Sequence, residues 1–195
     1  MPFKRPHPKN NALHATYSQP VSDHAQPLAI VHYRHAPASI ALVDDVLHLT
    51  IPCRHAQLNE YWKPVIPSFD RLLFKESHIS DRSGWSTDGD NLFAAYLIPD
   101  EPELALSSQH AYDFLINLSQ KLGYTNIYRI WNYIGRINAP NTHGLERYRD
   151  FCIGRANAFE DLNYAPSALP AATGIGFQDG GVCIFLIARK TPHAV

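Results

Sequence analysis

The sequence predicts an α+β fold: a mixed sheet with two helices on one face, preceded by a β-rich extension. Two observations lead there. From residue 84 onward, short apolar runs alternate with two long amphipathic stretches in the order β-α-β-α-β-β. Before residue 84 the apolar runs are short and turn residues separate them. The chain divides accordingly into a flexible arm (1–26), a β-rich extension (27–83) and a helix-and-sheet domain (84–195).

Residues 1–26 hold four prolines, several His and Asn, and no apolar periodicity, which predicts a mobile or loosely draped arm. Phe3 or Tyr17 could dock on a neighbouring surface. LAIVHY, ASIALV and VLHLTIPC then read as strands, separated by Ala36-Pro37 and by Asp44-Asp45, the latter a hairpin turn. In HAQLNEYWKPVIP, Leu58, Tyr61 and Trp62 fall at helix-like offsets before Pro64, which predicts a short helix or an ordered loop. Residues 67–82 are ambiguous between helix and strand.

The second half is clearer. Gly84 to Asp90 marks a turn, with Asp88-Gly89 favouring a hairpin, and NLFAAYLIP reads as a strand. In PDEPELALSSQHAYDFLINLSQKLGY, residues Ala105, Ala111, Phe114, Leu115, Leu118 and Leu122 form an apolar stripe, and Gly123 closes the helix in the left-handed conformation. IYRIWNYIGRIN reads as a strand with Trp131 and Tyr133 on one face and Asn132 on the other. GLERYRDFCIGRANAFEDL carries Leu145, Tyr148, Phe151, Cys152, Arg155 and Phe159 at helical offsets. SALPAATGIGF and GVCIFLIAR read as two strands joined by a hairpin at Gln178-Asp179-Gly180-Gly181.

With 195 residues, 45% hydrophobic and 18% charged, the chain can bury a sizeable core. A net charge of -1 and a pI near 6.8 argue against a dedicated nucleic-acid binder. No apolar run reaches bilayer-spanning length, and the N-terminus lacks the apolar core of a signal peptide. Cys53, Cys152 and Cys183 are too few and too scattered for a disulfide framework. A reduced, cytoplasmic protein with no nucleic-acid or membrane partner is the expectation.

Arg129, Arg136, Arg147, Arg149 and Arg155 cluster within the strand and helix that span Ile127 to Phe159. A guanidinium suits a carboxylate, so this stretch reads as the wall of an anion-binding pocket. Arg147 and Arg155, two helical turns apart, are the candidate anchors; the competing reading is structural, with ion pairs to Glu146, Asp150 and Glu160. Asn132 on a buried strand needs a partner and could brace a loop. Cys152 reads as an inert thiol, and His32-x-x-His35 lacks a third ligand for zinc. No metal or cofactor is expected, and no phosphate loop, dinucleotide fingerprint or hydrolase motif is present.

The order of motifs resembles the RidA/YjgF superfamily, with a chorismate mutase-like mixed sheet. Its counterparts here are LFAAYLIP, Gln109, Leu122-Gly123, Ile130 to Asn138, Tyr148 with Phe151, Pro170-Ala171-Ala172-Thr173, and Val182 to Ala188. RIWNYIGRIN, GLERYRDFCIGRANAF and LPAATGIG together resemble the chorismatase family, over roughly residues 28–190 and its N-terminal half. Those enzymes remove pyruvate from chorismate, and some carry the name pteridine-dependent deoxygenase. The resemblance implies release of pyruvate from chorismate or a related enolpyruvyl acid. It adds Tyr148 and Asn138 to Arg147 and Arg155 as substrate-binding candidates, and assigns no catalytic residue in this chain. It also implies a homo-oligomer, a trimer, built on an exposed sheet face. Two departures accompany it. Ala172 stands where RidA imine deaminases hold the carboxylate with Arg, which speaks against imine deamination. The chain reaches Val195 where chorismatases continue into a C-terminal half carrying the general acid. A carboxylate-binding or assembly module without chemistry is the competing function.

Overall fold

Alternating inward and outward side chains build two sheets, and two helices close the second. The computed structural model describes residues 13–17, 27–55, 57–64 and 76–191. The first sheet comprises β1 (Leu13–Thr16), β2 (Ala29–Arg34), β3 (Ser39–Val43), β4 (Val46–Pro52) and β5 (Leu58–Pro64) in the order β1-β5-β2-β4-β3. The second comprises β6 (Glu76–Ile79), β7 (Ser83–Thr87), β8 (Asn91–Ile98), β9 (Asn126–Gly135), β10 (Ala171–Phe177) and β11 (Val182–Arg189) in the order β10-β9-β11-β8-β7-β6. Helix α1 (Ala105–Lys121) lies between β8 and β9, and α2 (Arg147–Asp161) between β9 and β10.

These elements stack in three layers. Strand β11 shows why: all eight of its residues are buried, so its sequence VCIFLIAR reads as an unbroken apolar run. Val182, Ile184, Leu186 and Ala188 join the core beneath the helices, with Tyr112, Leu115, Ile116 and Phe151. Cys183, Phe185 and Ile187 point the other way, into a second core with Leu47, Leu49, Ile51 and Trp62 of the first sheet. Aromatic rings fill that seam: Trp131 stacks on Phe185 at 4.8 Å, and Trp62 meets Trp131 edge-on at 5.2 Å. No helix among the described residues is long and apolar enough to cross a membrane.

The α+β class, the two helices and strands β8, β9, β10 and β11 match the sequence reading. Gly84 to Thr87, read as part of a turn, instead belong to β7, because Trp85 packs into the core beneath the helices; the turn is confined to residues 88–90. Asp44 and Asp45 both take positive φ and turn β3 into β4, as the hairpin expectation required. Gly123 takes φ 82° just beyond α1. Several elements differ. The segment read as a short helix or loop is β5, because Glu60 and Trp62 alternate with Asn59 and Tyr61 at period two. Strands β10 and β11 do not form a hairpin: β9 lies between them, parallel to β10 and antiparallel to β11. Small, polar-flanked β10 belongs at an edge, whereas apolar β9 belongs inside. The buried stripe of α1 is rotated from the expected one, with Tyr112 and Ile116 facing inward and Phe114 39% exposed. Within the expected arm, Leu13–Thr16 forms β1, paired antiparallel with β5; Phe3 lies outside the described residues. Most of the ambiguous stretch 67–82 does too; its tail supplies β6, which joins the second sheet. The sheet face turned away from the helices, expected to be open for assembly, is covered by the first sheet.

Candidate functional site

One wall of the molecule combines α2, the edge strand β10 and the end of β9. Asn132 is fixed there by two hydrogen bonds: it accepts from the Tyr112 hydroxyl at 2.8 Å and donates to the Thr173 carbonyl at 2.9 Å. The strand asparagine thus has the partners its burial required, but it braces strand β10 to α1 and not a loop, as the sequence reading had it. Tyr148, 37% exposed, lies over β10: a Cβ on Gly174 would stand 2.8 Å from its ring. A side chain at that position would push the phenol off the strand. Cys152 sits one helical turn along and hydrogen-bonds Tyr148; its proximity and that bond are the main reasons the phenol pKa is raised. The Arg155 guanidinium acts on both Tyr148 and Tyr112 in the opposite direction. Burial is what pushes the Tyr112 pKa up, so its hydroxyl stays a donor to Asn132. Ala171, Ala172 and Gly174 leave the adjoining strand surface open. A half-buried cation beside the exposed Tyr148 phenol, with open backbone next to it, can take a carboxylate through charge and one hydroxyl donor.

The other two expected anchors lie elsewhere. Arg147 is 3% exposed and ties the start of α2 to two segments: Nε donates to the Gly135 carbonyl at 3.0 Å, and, in the stretch after β8, Nη1 donates to the Glu101 carbonyl at 2.6 Å and Nη2 to Asp100 at 3.3 Å. Each of its three nitrogens is engaged, and burial lowers its pKa despite the Asp100 charge. Asn138 is exposed in the turn after β9, beside Ile137, whose carbonyl receives the Tyr148 amide. Eight residues on a helix advance about 12 Å and rotate by about 80°, so Arg147 meets the strand ends while Arg155 meets Tyr148. Of the four candidates the structure brings Arg155 and Tyr148 together. The nearby acids are occupied as well: Asp150 caps α1 through the Leu104 amide at 2.5 Å, and Asp161 accepts from Gln109 at 2.7 Å.

Sequence reading missed a second polar cluster between the sheets. Glu60 is 7% exposed and accepts from the Tyr33 hydroxyl at 2.9 Å, and the Tyr33 oxygen lies 2.8 Å from the Tyr133 hydroxyl. Burial raises the Glu60 pKa, and burial drives the Tyr133 phenol up to about 12. The available signal was a Glu alternating with Tyr and Trp at period two, which puts a carboxyl on the face of a buried strand. His32 does not pair with His35; it stacks on His48 at 4.9 Å and its Nδ1 lies 2.7 Å from Asn59. Among the described residues no three His, Cys, Asp or Glu side chains converge as a metal set.

Comparison with known proteins adds to this geometry. Residues 74–188 match the family model described as chorismatase FkbO/Hyg5-like, N-terminal. The chain is 42% identical over 116 residues to a chorismatase of Streptomyces rapamycinicus, covering 59% of this chain and 35% of that protein. It is 40% identical over 118 residues to a 3-hydroxybenzoate synthase of Streptomyces hygroscopicus, covering 60% of this chain and 35% of that one. A chorismatase crystal structure superposes with a TM-score of 0.80 at 26% identity, over 94% of this chain and 55% of its own. The chain thus spans about a third of the length of the curated relatives it matches. The family match begins just before β6 and ends within β11, so it takes in the six-stranded sheet and both helices, the elements that carry the α2–β10 wall: this chain belongs to the chorismatase FkbO/Hyg5-like N-terminal family.

Proposed function

We propose that this chain is a chorismatase-like half, binding chorismate or a related enolpyruvyl carboxylic acid so that pyruvate can be released once a C-terminal half completes the site. The observation that carries this reading is the family match over residues 74–188, the span that builds the α2–β10 wall. Arg155 is the carboxylate anchor, Tyr148 a neighbouring hydroxyl, and Asn132 the brace that holds β10 in place. Arg147 serves the same site at a distance, by fixing the start of α2, and Asn138 lies exposed in the turn before it. The β-α-β-α-β-β order supports a RidA/YjgF-like origin for this layer. The reading requires no metal or cofactor. The test is pyruvate release from chorismate, measured with the chain alone and with the chain mixed with the C-terminal half of a relative. Release only in the mixture is the expected result. No release in either, with the relative's intact enzyme active in parallel, would overturn it.

Ala172 favours a second reading, a carboxylate-binding or assembly module without chemistry, because the exposed β10 position that RidA proteins fill with Arg carries a methyl group here. Binding of chorismate without turnover in the mixture would select it. Assembly as a homotrimer belongs to either reading. The first sheet covers the face away from the helices, and the exposed residues of β10 and α2, Ile175, Tyr148 and Ile153 among them, form the proposed contact surface. Mass in solution at micromolar concentration tests this, and a monomer would exclude it.

A further inference from the structure

We propose that Glu60, Tyr33 and Tyr133 form a proton-linked clasp that makes the docking of the five-stranded sheet on the six-stranded sheet dependent on pH. The three groups come from three strands in two layers. Glu60 belongs to β5 and Tyr33 to β2 in the first sheet, whereas Tyr133 belongs to β9 in the second. Tyr33 donates to Glu60 Oε2 at 2.9 Å, so Tyr133 is left to donate to the Tyr33 oxygen at 2.8 Å. This chain of hydroxyls ends on a carboxyl and crosses the seam between the sheets. Its surroundings are apolar: Tyr33 and Tyr133 tilt together at 5.8 Å, and Tyr133 lies stacked near Phe185 at 6.2 Å.

The groups that act on Glu60 are Tyr33 from β2, Trp62 from its own strand, and Tyr17 just beyond β1; Tyr133 and Cys183 face the cluster from β9 and β11. Among the described residues none of these is a cation. A carboxylate there loses its water without gaining an opposite charge, whereas the neutral acid loses much less. Burial accordingly raises the carboxyl pKa in the folded state, and the Tyr33 hydrogen bond only partly offsets it. The unfolded side chain gives up its proton near about 4.3. The sign follows directly. The native state holds a proton that the unfolded chain releases, so this contribution to stability is complete below the unfolded pKa and is lost as pH rises through the raised native one. The docked state is most stable in acid and loses stability toward alkaline pH, opposite to an exposed, salt-bridged glutamate, because the cost of burying the charge exceeds what the Tyr33 donor returns.

The experiment follows urea unfolding of the chain and of Glu60→Gln from pH 4 to 8. Gln keeps the shape and accepts from Tyr33 but carries no titrating proton. The ratio of wild-type to variant unfolding constants is expected to rise by up to about tenfold per pH unit between the two pKa values, then level off. A flat or falling ratio would overturn the proposal. Carbon NMR of the Glu60 carboxyl in the unaltered chain gives an independent reading if the variant does not fold. A midpoint above that of an ordinary glutamate supports the clasp, and one at or below it refutes it. Tyr33→Phe separates a clasp from a merely buried acid. Loss of the donor must move the Glu60 midpoint further up, and an unmoved midpoint refutes the hydroxyl chain.

Discussion

Arg147 and Arg155 share one helix, yet their surroundings assign them opposite roles. The Arg147 guanidinium satisfies two backbone carbonyls and shares the Asp100 carboxylate with Arg136. Arg147→Ala therefore orphans acceptors at the ends of β9 and β8, and is expected to cost roughly 3 kcal/mol of stability by urea unfolding. Arg155 is half-buried, with its charge beside two phenols. Arg155→Ala is expected to change stability by less than about 1 kcal/mol, while weakening chorismate binding by about tenfold or more in a calorimetric titration. If Arg155→Ala unfolds the chain or leaves binding intact, it is not the anchor. The sequence placed both arginines on the right helix but could not separate them. Spacing along a helix gives the angle between two side chains, not what faces each of them.

At the scale of elements, Gly154 sets how closely the two helices pack. Gly154 of α2 faces Ala105 at the start of α1, and a Cβ there would stand 1.8 Å from the Ala105 carbonyl oxygen. In an isolated helix, Gly→Ala stabilises by about 1 kcal/mol. Here the sign reverses, because the neighbour is backbone and cannot swing aside. Gly154→Ala is expected to destabilise by about 3 kcal/mol, seen as a lower melting temperature; a neutral or stabilising result would mean that the helices can separate at no cost. The same scale explains what could be read in advance. Both helices were legible because their apolar periodicity runs over four or more turns, although the inward face of α1 was misjudged: Phe114 and Tyr112 are both aromatic, and only the partner surface chooses between them. Strand β11 was legible as an apolar run. Its neighbour was not, because a turn-rich Gln178 to Gly181 reads as a hairpin whether the two strands pair or straddle a third. Strand β5 was misread because seven residues are too few to distinguish period two from period 3.6.

At the scale of the whole molecule, the first sheet decides how the second meets its surroundings. The family match starts at residue 74, beyond β5, yet the structural likeness to a chorismatase extends over 94% of the chain and so includes strands ahead of that match. Those strands cover a face that carries Phe93, Ala95, Tyr133, Cys183, Phe185 and Ile187. Monomeric proteins rarely leave more than a few hundred Å² of contiguous apolar surface uncovered. A chain restricted to residues 76–191 keeps both helices and the six-stranded sheet but bares this face to water. It is expected to bind a hydrophobic dye more strongly than the full chain does and to sediment as larger, less uniform species than the full chain forms. A dye-silent monomer would mean that the second sheet is self-sufficient and that the aromatic seam adds little. Association of the fragment alone would instead show that the surface read from sequence as an assembly face is real, and that in the full chain the five-stranded sheet occupies it.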